Sequence, residues 1–230
     1  MEQFIIAGHK TEYHVRGDLL RQRSAPYKAE FDSNDTAIRL NIKEEFFQKK
    51  KEEIPYLSLD EHEYMWTCEA FYNELLRHNG IMLHSSCVEK DGYAYLFSAR
   101  SGTGKSTHTH LWLENLSGTR IINDDKPAIR YIDGEFYAYG TPWSGKTDES
   151  ENVGVPIAGI AFLERGENSI KRIPGILALK LFMEQTVRSV KKETMEKTLD
   201  LLGKILTEIP IYRLTCDMTE DAVKTSYNGM

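Results

Sequence analysis

Polar and apolar positions alternate loosely through FIIAGHKTEYHV and again through TAIRLNIK, which predicts short strands in the first forty residues. The charged, proline-containing stretch RQRSAPYKAEFD separates them, and the run KKKEE at 49–53 reads as a solvated turn or helix end. A helix is predicted next. Asp60 with Glu63 forms a capping-box-like start, and Met65, Cys68, Phe71, Tyr72, Leu75 and Leu76 follow at helical spacing. His78-Asn79-Gly80 supplies the stop.

The pattern changes after residue 80. Ile81 to Val88 and Tyr93 to Phe97 are strand-like runs around the turn Glu89-Lys90-Asp91-Gly92. The second run enters SARSGTGKST and then the helical THTHLWLENL, which Gly118 closes. Arg120 to Ile122 predicts a strand ending at Asn123-Asp124-Asp125, and Ala128–Ile132 with Glu135–Tyr139 a hairpin around Asp133-Gly134. A Gly/Pro/Ser-rich loop leads to a buried strand over Ile157–Leu163. Two helical patterns fill 175–208, followed by a strand at Ile211–Leu214 and a short helix from about Thr219. Strands and helices interleaved in this way predict an α/β or α+β core.

Composition narrows the class without naming the chemistry. The chain has 230 residues, 40% of them hydrophobic and 28% charged, the balance of an ordinary globular protein. No apolar run approaches the ~20 residues of a membrane-spanning helix, so no membrane association is expected. The first residues lack a basic n-region and an apolar h-region, so no signal peptide is expected either. The net charge of −6 argues against general nucleic-acid binding. Cys68, Cys87 and Cys216 are scattered and form no C-x-x-C pair, which reads as reduced thiols of a cytoplasmic protein.

The strongest chemical signal is Ser101-Gly102-Thr103-Gly104-Lys105-Ser106-Thr107, placed between a predicted strand and a predicted helix. A phosphate chain carries several negative charges and is held by many convergent N–H donors. Glycines let the backbone curl close to the oxygens, and the helix start adds unpaired N–H groups and a favourable dipole. Lys105 would reach the β/γ-phosphates and the Ser106 hydroxyl would ligate Mg²⁺. The full G-x-x-x-x-G-K-[ST] pattern wants glycine where this chain has Ala99.

Asp124-Asp125 ends a predicted strand 19 residues beyond Lys105. A phosphate loop needs one carboxylate to hold the metal and often another to position the nucleophile, and adjacent aspartates can divide those tasks. His84 lies 21 residues before Lys105, on the run that precedes the loop strand, where hairpin pairing would bring it near the phosphate end of the sheet. His108 and His110 follow the loop on different faces of its helix and are left outside the site.

In this order the signals resemble the catalytic domain of HPr kinase/phosphorylase and the related ATP site of phosphoenolpyruvate carboxykinase. HSSCVEKDGYAYLFSARSGTGKST looks like the HPr kinase stretch in which a histidine, two strands and the phosphate loop follow one another. The resemblance covers 81–130 and extends through VPIAGIAFLERG. It implies a phosphate-loop nucleotide-binding core over 81–230, preceded by accessory strands and a helix over 1–80. It implies His84 as the active-site histidine, Lys105 and Ser106 as the loop lysine and metal-binding serine, Asp124 as base toward an acceptor serine, and Asp125 as helper to the metal. The layout is more similar still to compact bacterial HPr-kinase-related proteins, some of which serve ribosomally made peptide pathways. Thr107 stands where the family has an acidic residue, and TPWSGKTDESENVG replaces the long family signature after the aspartates.

The expectation is an ATP- and Mg²⁺-dependent phosphotransferase acting on a serine-type hydroxyl of a peptide or small protein, with room for a homo-oligomer. A small-molecule kinase, a non-catalytic nucleotide- or peptide-binding module and a plain phosphate-loop hydrolase compete with it. In the loop TPWSGK, Trp143 could pack on a base or serve as a half-buried structural residue, and Lys146 could contact a phosphate. The resemblance implies a further metal-side carboxylate at Glu149 or Glu151, and Arg188 could offer charge to the transferring group or form a surface salt bridge.

Overall fold

The computed structural model describes residues 1–187 and 191–230, so Arg188 lies outside the described residues. In chain order the elements are β1 (Glu2–Ile6), β2 (His9–Tyr13), α1 (Asp18–Ser24), β3 (Ile38–Leu40), α2 (Glu44–Glu53), α3 (Leu59–Leu75), β4 (Gly80–Met82), β5 (Ser85–Lys90) and β6 (Tyr93–Ser98). Then come α4 (Lys105–Asn115), β7 (Arg120–Asn123), β8 (Ala128–Ile132), β9 (Glu135–Tyr139), β10 (Gly154–Arg165) and β11 (Ser169–Arg172). The chain ends with α5 (Gly175–Gln185), α6 (Lys192–Glu208), β12 (Ile211–Cys216) and α7 (Glu220–Gly229). The fold is mixed α/β. Among the described residues no helix is long and apolar enough to cross a membrane.

β1, β2 and β3 form a small sheet, and the other nine strands form a second one. β10 joins the two halves of the larger sheet. Gly154–Pro156 pair antiparallel with β9, and beyond them β10 runs parallel to both β6 and β12. β5 pairs antiparallel with β6 and with β7, so β6 and β7 point the same way. The carboxyl ends of β6, β7, β10 and β12 and the start of β5 therefore lie along one edge. That edge is where open α/β sheets present their ligands.

Alternation along these strands sends side chains to opposite faces. Leu96, Ile160, Ile122 and Phe162 pack with Phe182 of α5 and Leu202 and Ile205 of α6. Phe97, Ala161 and Leu214 face the other way, onto Trp112 of α4 and Ala222 and Val223 of α7. A third cluster joins Phe4, Tyr13 and Ile38 of the small sheet to Phe71 and Tyr72 of α3 and reaches Ala128 and Trp143. The three cysteines are buried thiols.

Several expectations change here. The capping box of α3 is Ser58 with Glu61, two residues earlier than Asp60 with Glu63. Asp60 and Glu63 instead accept the backbone N–H groups of Asp18 and Leu19, and of Arg16 and Gly17, so they cap α1 from a neighbouring element. Tertiary capping of this kind explains why α1 forms where the sequence shows only a charged stretch. A Cβ on Gly17 would stand 2.1 Å from Asp60 Oδ1, so the close approach requires glycine. KKKEE is the last half of α2, the helix end among its two readings. The run Ile81–Val88 is two strands, not one, because the chain leaves β4 at Met82 and enters β5 at Ser85. β11 was not expected at all; its Ser-Ile-Lys-Arg sequence has a single apolar residue.

Candidate functional site

β6 ends at Ser98, and the chain turns through Ala99–Gly104 into α4. Gly102 and Gly104 hold φ of 78° and 121°, a region in which a side chain is strained, and this lets the loop curl onto the helix start. The N-cap of α4 is Gly104, which has no side chain to cap the first N–H groups of the helix. Ala99, the departure from the glycine pattern, is accommodated: its side chain joins the Trp112 cluster and its carbonyl accepts a hydrogen bond from Lys105 Nζ at 3.0 Å.

Lys105 is the first residue of α4 and is 8% exposed. Burial lowers its pKa, while Asp125 and Asp124 act against that shift. Its ammonium lies 3.2 Å from Nε2 of His84, in the break between β4 and β5. The same imidazole nitrogen is 3.1 Å from Asp125 Oδ1. Gln185, the last residue of α5, fixes the ring. Its carbonyl accepts the His84 N–H at 2.7 Å, and its Oε1 lies 2.9 Å from His84 Nδ1. Burial raises the Asp125 pKa, but His84 and Lys126 outweigh it and bring it down to about 2.

Asp124 belongs to a different group of contacts. It is 5% exposed, and its two carboxylate oxygens accept from the hydroxyls of Ser86 at 2.6 Å and Thr147 at 2.8 Å. Its N–H donates to the Glu149 carbonyl at 3.1 Å. His110 links this group to the loop helix, with Nδ1 2.6 Å from the Ser106 carbonyl and Nε2 3.1 Å from Glu149 Oε1. The Ser106 carbonyl raises the His110 pKa, and Glu149 adds to the rise against partial burial. Glu149 Oε2 is buried and has no partner.

The structure thus brings His84, Lys105, Asp124 and Asp125 to the edge that carries the Ser101–Thr107 loop. Of the two glutamates, Glu149 is at the site; Glu151 is taken by Arg120 at 2.7 Å. Trp143 is not available to a ligand. It is fully buried against Phe71 and Tyr72 and donates its indole N–H to the Tyr64 carbonyl at 3.1 Å. Lys146 is exposed. Glu149 is one of the two glutamates the sequence offered, and His110, left outside the site on sequence, lies within it. Gln185 was not assigned from sequence, and neither was Arg165, whose guanidinium donates to the carbonyls of Gly102 and Thr103 at 2.7 and 3.0 Å. Gln185 lies 101 residues from His84, so no local spacing could have shown the pair.

Among the described residues, no three His, Cys, Asp or Glu side chains cluster as a ready-made metal site. Magnesium at a nucleotide needs less, because phosphates and water supply most of its oxygens. The Ser106 hydroxyl, the Asp124 carboxylate and the unpartnered Glu149 oxygen are hard donors of the kind it takes, and the donor set fits.

No family model matches this chain, and no curated protein is significantly similar to it. Among solved structures it is similar to the Hpr(Ser) kinase/phosphatase from Coxiella burnetii, with 10% sequence identity and a TM-score of 0.33, covering 55% of this chain and 92% of that one. The functional reading therefore rests on the geometry of the site itself.

Proposed function

We propose that the protein is a phosphotransferase that moves the γ-phosphoryl group of Mg²⁺-bound ATP to a serine-type hydroxyl of a peptide or small protein. The observation that carries this reading is the convergence of the buried Lys105 ammonium with His84 and Asp125 beside an uncapped, glycine-curled helix start. A plain anion site has no need of the histidine–carboxylate pair.

In this reading the loop and the α4 N-terminus hold the phosphates, and Lys105 leaves His84 and the Ala99 carbonyl to pair with the β/γ oxygens. That movement frees the Nε2 lone pair of His84. The acceptor hydroxyl attacks phosphorus as the bond to the β-phosphate oxygen breaks, and its proton passes to Nε2, where Asp125 balances the imidazolium. Ser106, Asp124 and Glu149 would hold the metal, which supplies neutralisation of the β/γ charge. The resemblance gives Asp124 as base toward the acceptor and Asp125 as helper to the metal; this reading divides them the other way, because Asp125 is the one beside His84, while Asp124 lies with Ser86, Thr147 and Glu149.

The test is incubation with γ-labelled ATP, Mg²⁺ and serine-containing peptides. Label recovered as phosphoserine supports the proposal. Release of free phosphate alone, at a rate that peptides do not change, overturns it.

A further inference from the structure

The segment 141–150 lies over both aspartates of the site. Thr147 Oγ1 donates to Asp124 Oδ2 at 2.8 Å, and the Glu149 carbonyl accepts the Asp124 N–H at 3.1 Å. Gly145 approaches Asp125 so closely that a Cβ on it would stand 2.8 Å from the Asp125 Cβ, and its φ of 71° also calls for glycine. The segment belongs to no helix or strand, so side chains from elsewhere must hold its shape.

Those side chains come from the other end of the sequence. Arg23 of α1, with its side chain only 10% exposed, donates through Nη1 to Ser144 Oγ at 3.1 Å and through Nη2 to the Gly145 carbonyl at 3.0 Å. Its guanidinium also pairs with the Asp148 carboxylate, which accepts a further hydrogen bond from Gln22 Nε2 at 3.2 Å. The planar fork thus grips both ends of the turn 144–148 at once. α1 is itself fixed, because Asp60 and Glu63 of α3 accept the N–H groups at its start.

We infer that Arg23 is a positioning residue for the site: it holds the turn 144–148 against Asp124 and Asp125 and so sets how the pair meets the metal and His84. The consequence for catalysis rests on the proposed function; the grip on the turn does not. The accessory strands and helices before residue 80 are then a working part of the site. Supporting residues of this kind typically change metal affinity or activity by about 10–100-fold.

The test compares the native protein with Arg23→Ala and with Arg23→Gln, which keeps more of the side chain's packing and removes the fork. The control is Arg39→Gln. Arg39 pairs with Glu12 and the Ser33 carbonyl in the same N-terminal unit, with no contact to the segment. Two readouts need no turnover: amide hydrogen exchange of 141–150 in the metal-free protein, and Mn²⁺ affinity of the ATP-bound protein by electron paramagnetic resonance. Both Arg23 variants exchange faster in 141–150 and bind Mn²⁺ about tenfold or more weakly, while Arg39→Gln matches the native protein. The Mg²⁺ concentration for half-maximal transfer rises in parallel. Native Mn²⁺ affinity in Arg23→Gln, or an equal loss in Arg39→Gln, overturns the positioning role. Failure of the native protein to transfer phosphate, with the exchange and Mn²⁺ changes as stated, overturns the proposed function and leaves the positioning role standing.

Discussion

Nε2 of His84 lies 3.1 Å from Oδ1 of Asp125, and the same nitrogen lies 3.2 Å from the Lys105 ammonium. One ring nitrogen cannot serve both partners in the same protonation state. It accepts from the ammonium when neutral and donates to the carboxylate when protonated. With Nδ1 turned to Gln185, the imidazole has one place to take up a proton, and that place faces Asp125.

The two aspartates are therefore separable. Asp125→Asn lowers kcat by about 10²–10⁴, because the imidazolium loses its counter-charge, and leaves ATP affinity nearly unchanged. Asp124→Asn instead raises the Mg²⁺ concentration needed for half-maximal rate. Steady-state kinetics across a Mg²⁺ series distinguishes them, and an interchange of the two phenotypes restores the opposite assignment.

Gln185 acts through His84 rather than on the substrate. Gln185→Ala lowers kcat about tenfold with KM unchanged, while Gln185→Glu, which keeps an acceptor for Nδ1–H, recovers most of the rate. A kcat/KM split for both variants checks this. Equal losses in the two would make Gln185 a packing residue only.

Acid stability follows from a histidine outside the proton-transfer pair. Burial holds the His108 pKa down at about 4. A group depressed in this way stabilises the fold above its unfolded value near 6.5, and that stability is lost as pH falls through 4. The contribution is roughly 3 kcal/mol at neutral pH. Thermal melts of the native protein lose Tm between about pH 6.5 and pH 4, and His108→Gln shows a flatter profile. An unchanged slope in the variant removes His108 from the account.

The N-terminal caps differ in reach. Ser58→Ala removes half of a local capping box and costs about 1 kcal/mol. Glu63 is buried and accepts the N–H groups of Arg16 and Gly17 across the junction of α1 with α3, so Glu63→Ala costs more, roughly 1–3 kcal/mol. Urea unfolding with m unchanged measures both, and equal costs would show that the cross-element contacts add nothing.

How much of this the sequence could show depended on whether each signal was local. The Asp91-Gly92 and Asp133-Gly134 hairpins are legible because both residues of each turn take positive φ, which those residue types favour. The loop and α4 are legible because glycine, lysine and serine are adjacent. α1 is not, since its caps come from residues more than forty positions away. The break at His84 is hidden because no glycine or proline marks it, and the polar His84, Ser85 and Ser86 could equally belong to one continuous strand; Ser85 and Ser86 are in fact buried in β5. Glu149 could be placed with the site but not chosen over Glu151 until Arg120 was seen to hold the latter.

The central claim is that the Lys105–His84–Asp125 group transfers phosphate rather than only binding it. The most direct measurement is a single-turnover reaction of the native protein and Lys105→Met with γ-labelled ATP and a serine peptide, with the label followed by rapid quench and mass spectrometry. Native protein placing the label on serine, with transfer by the variant reduced about 10³-fold or more, is the predicted result. Native-rate transfer by Lys105→Met contradicts it.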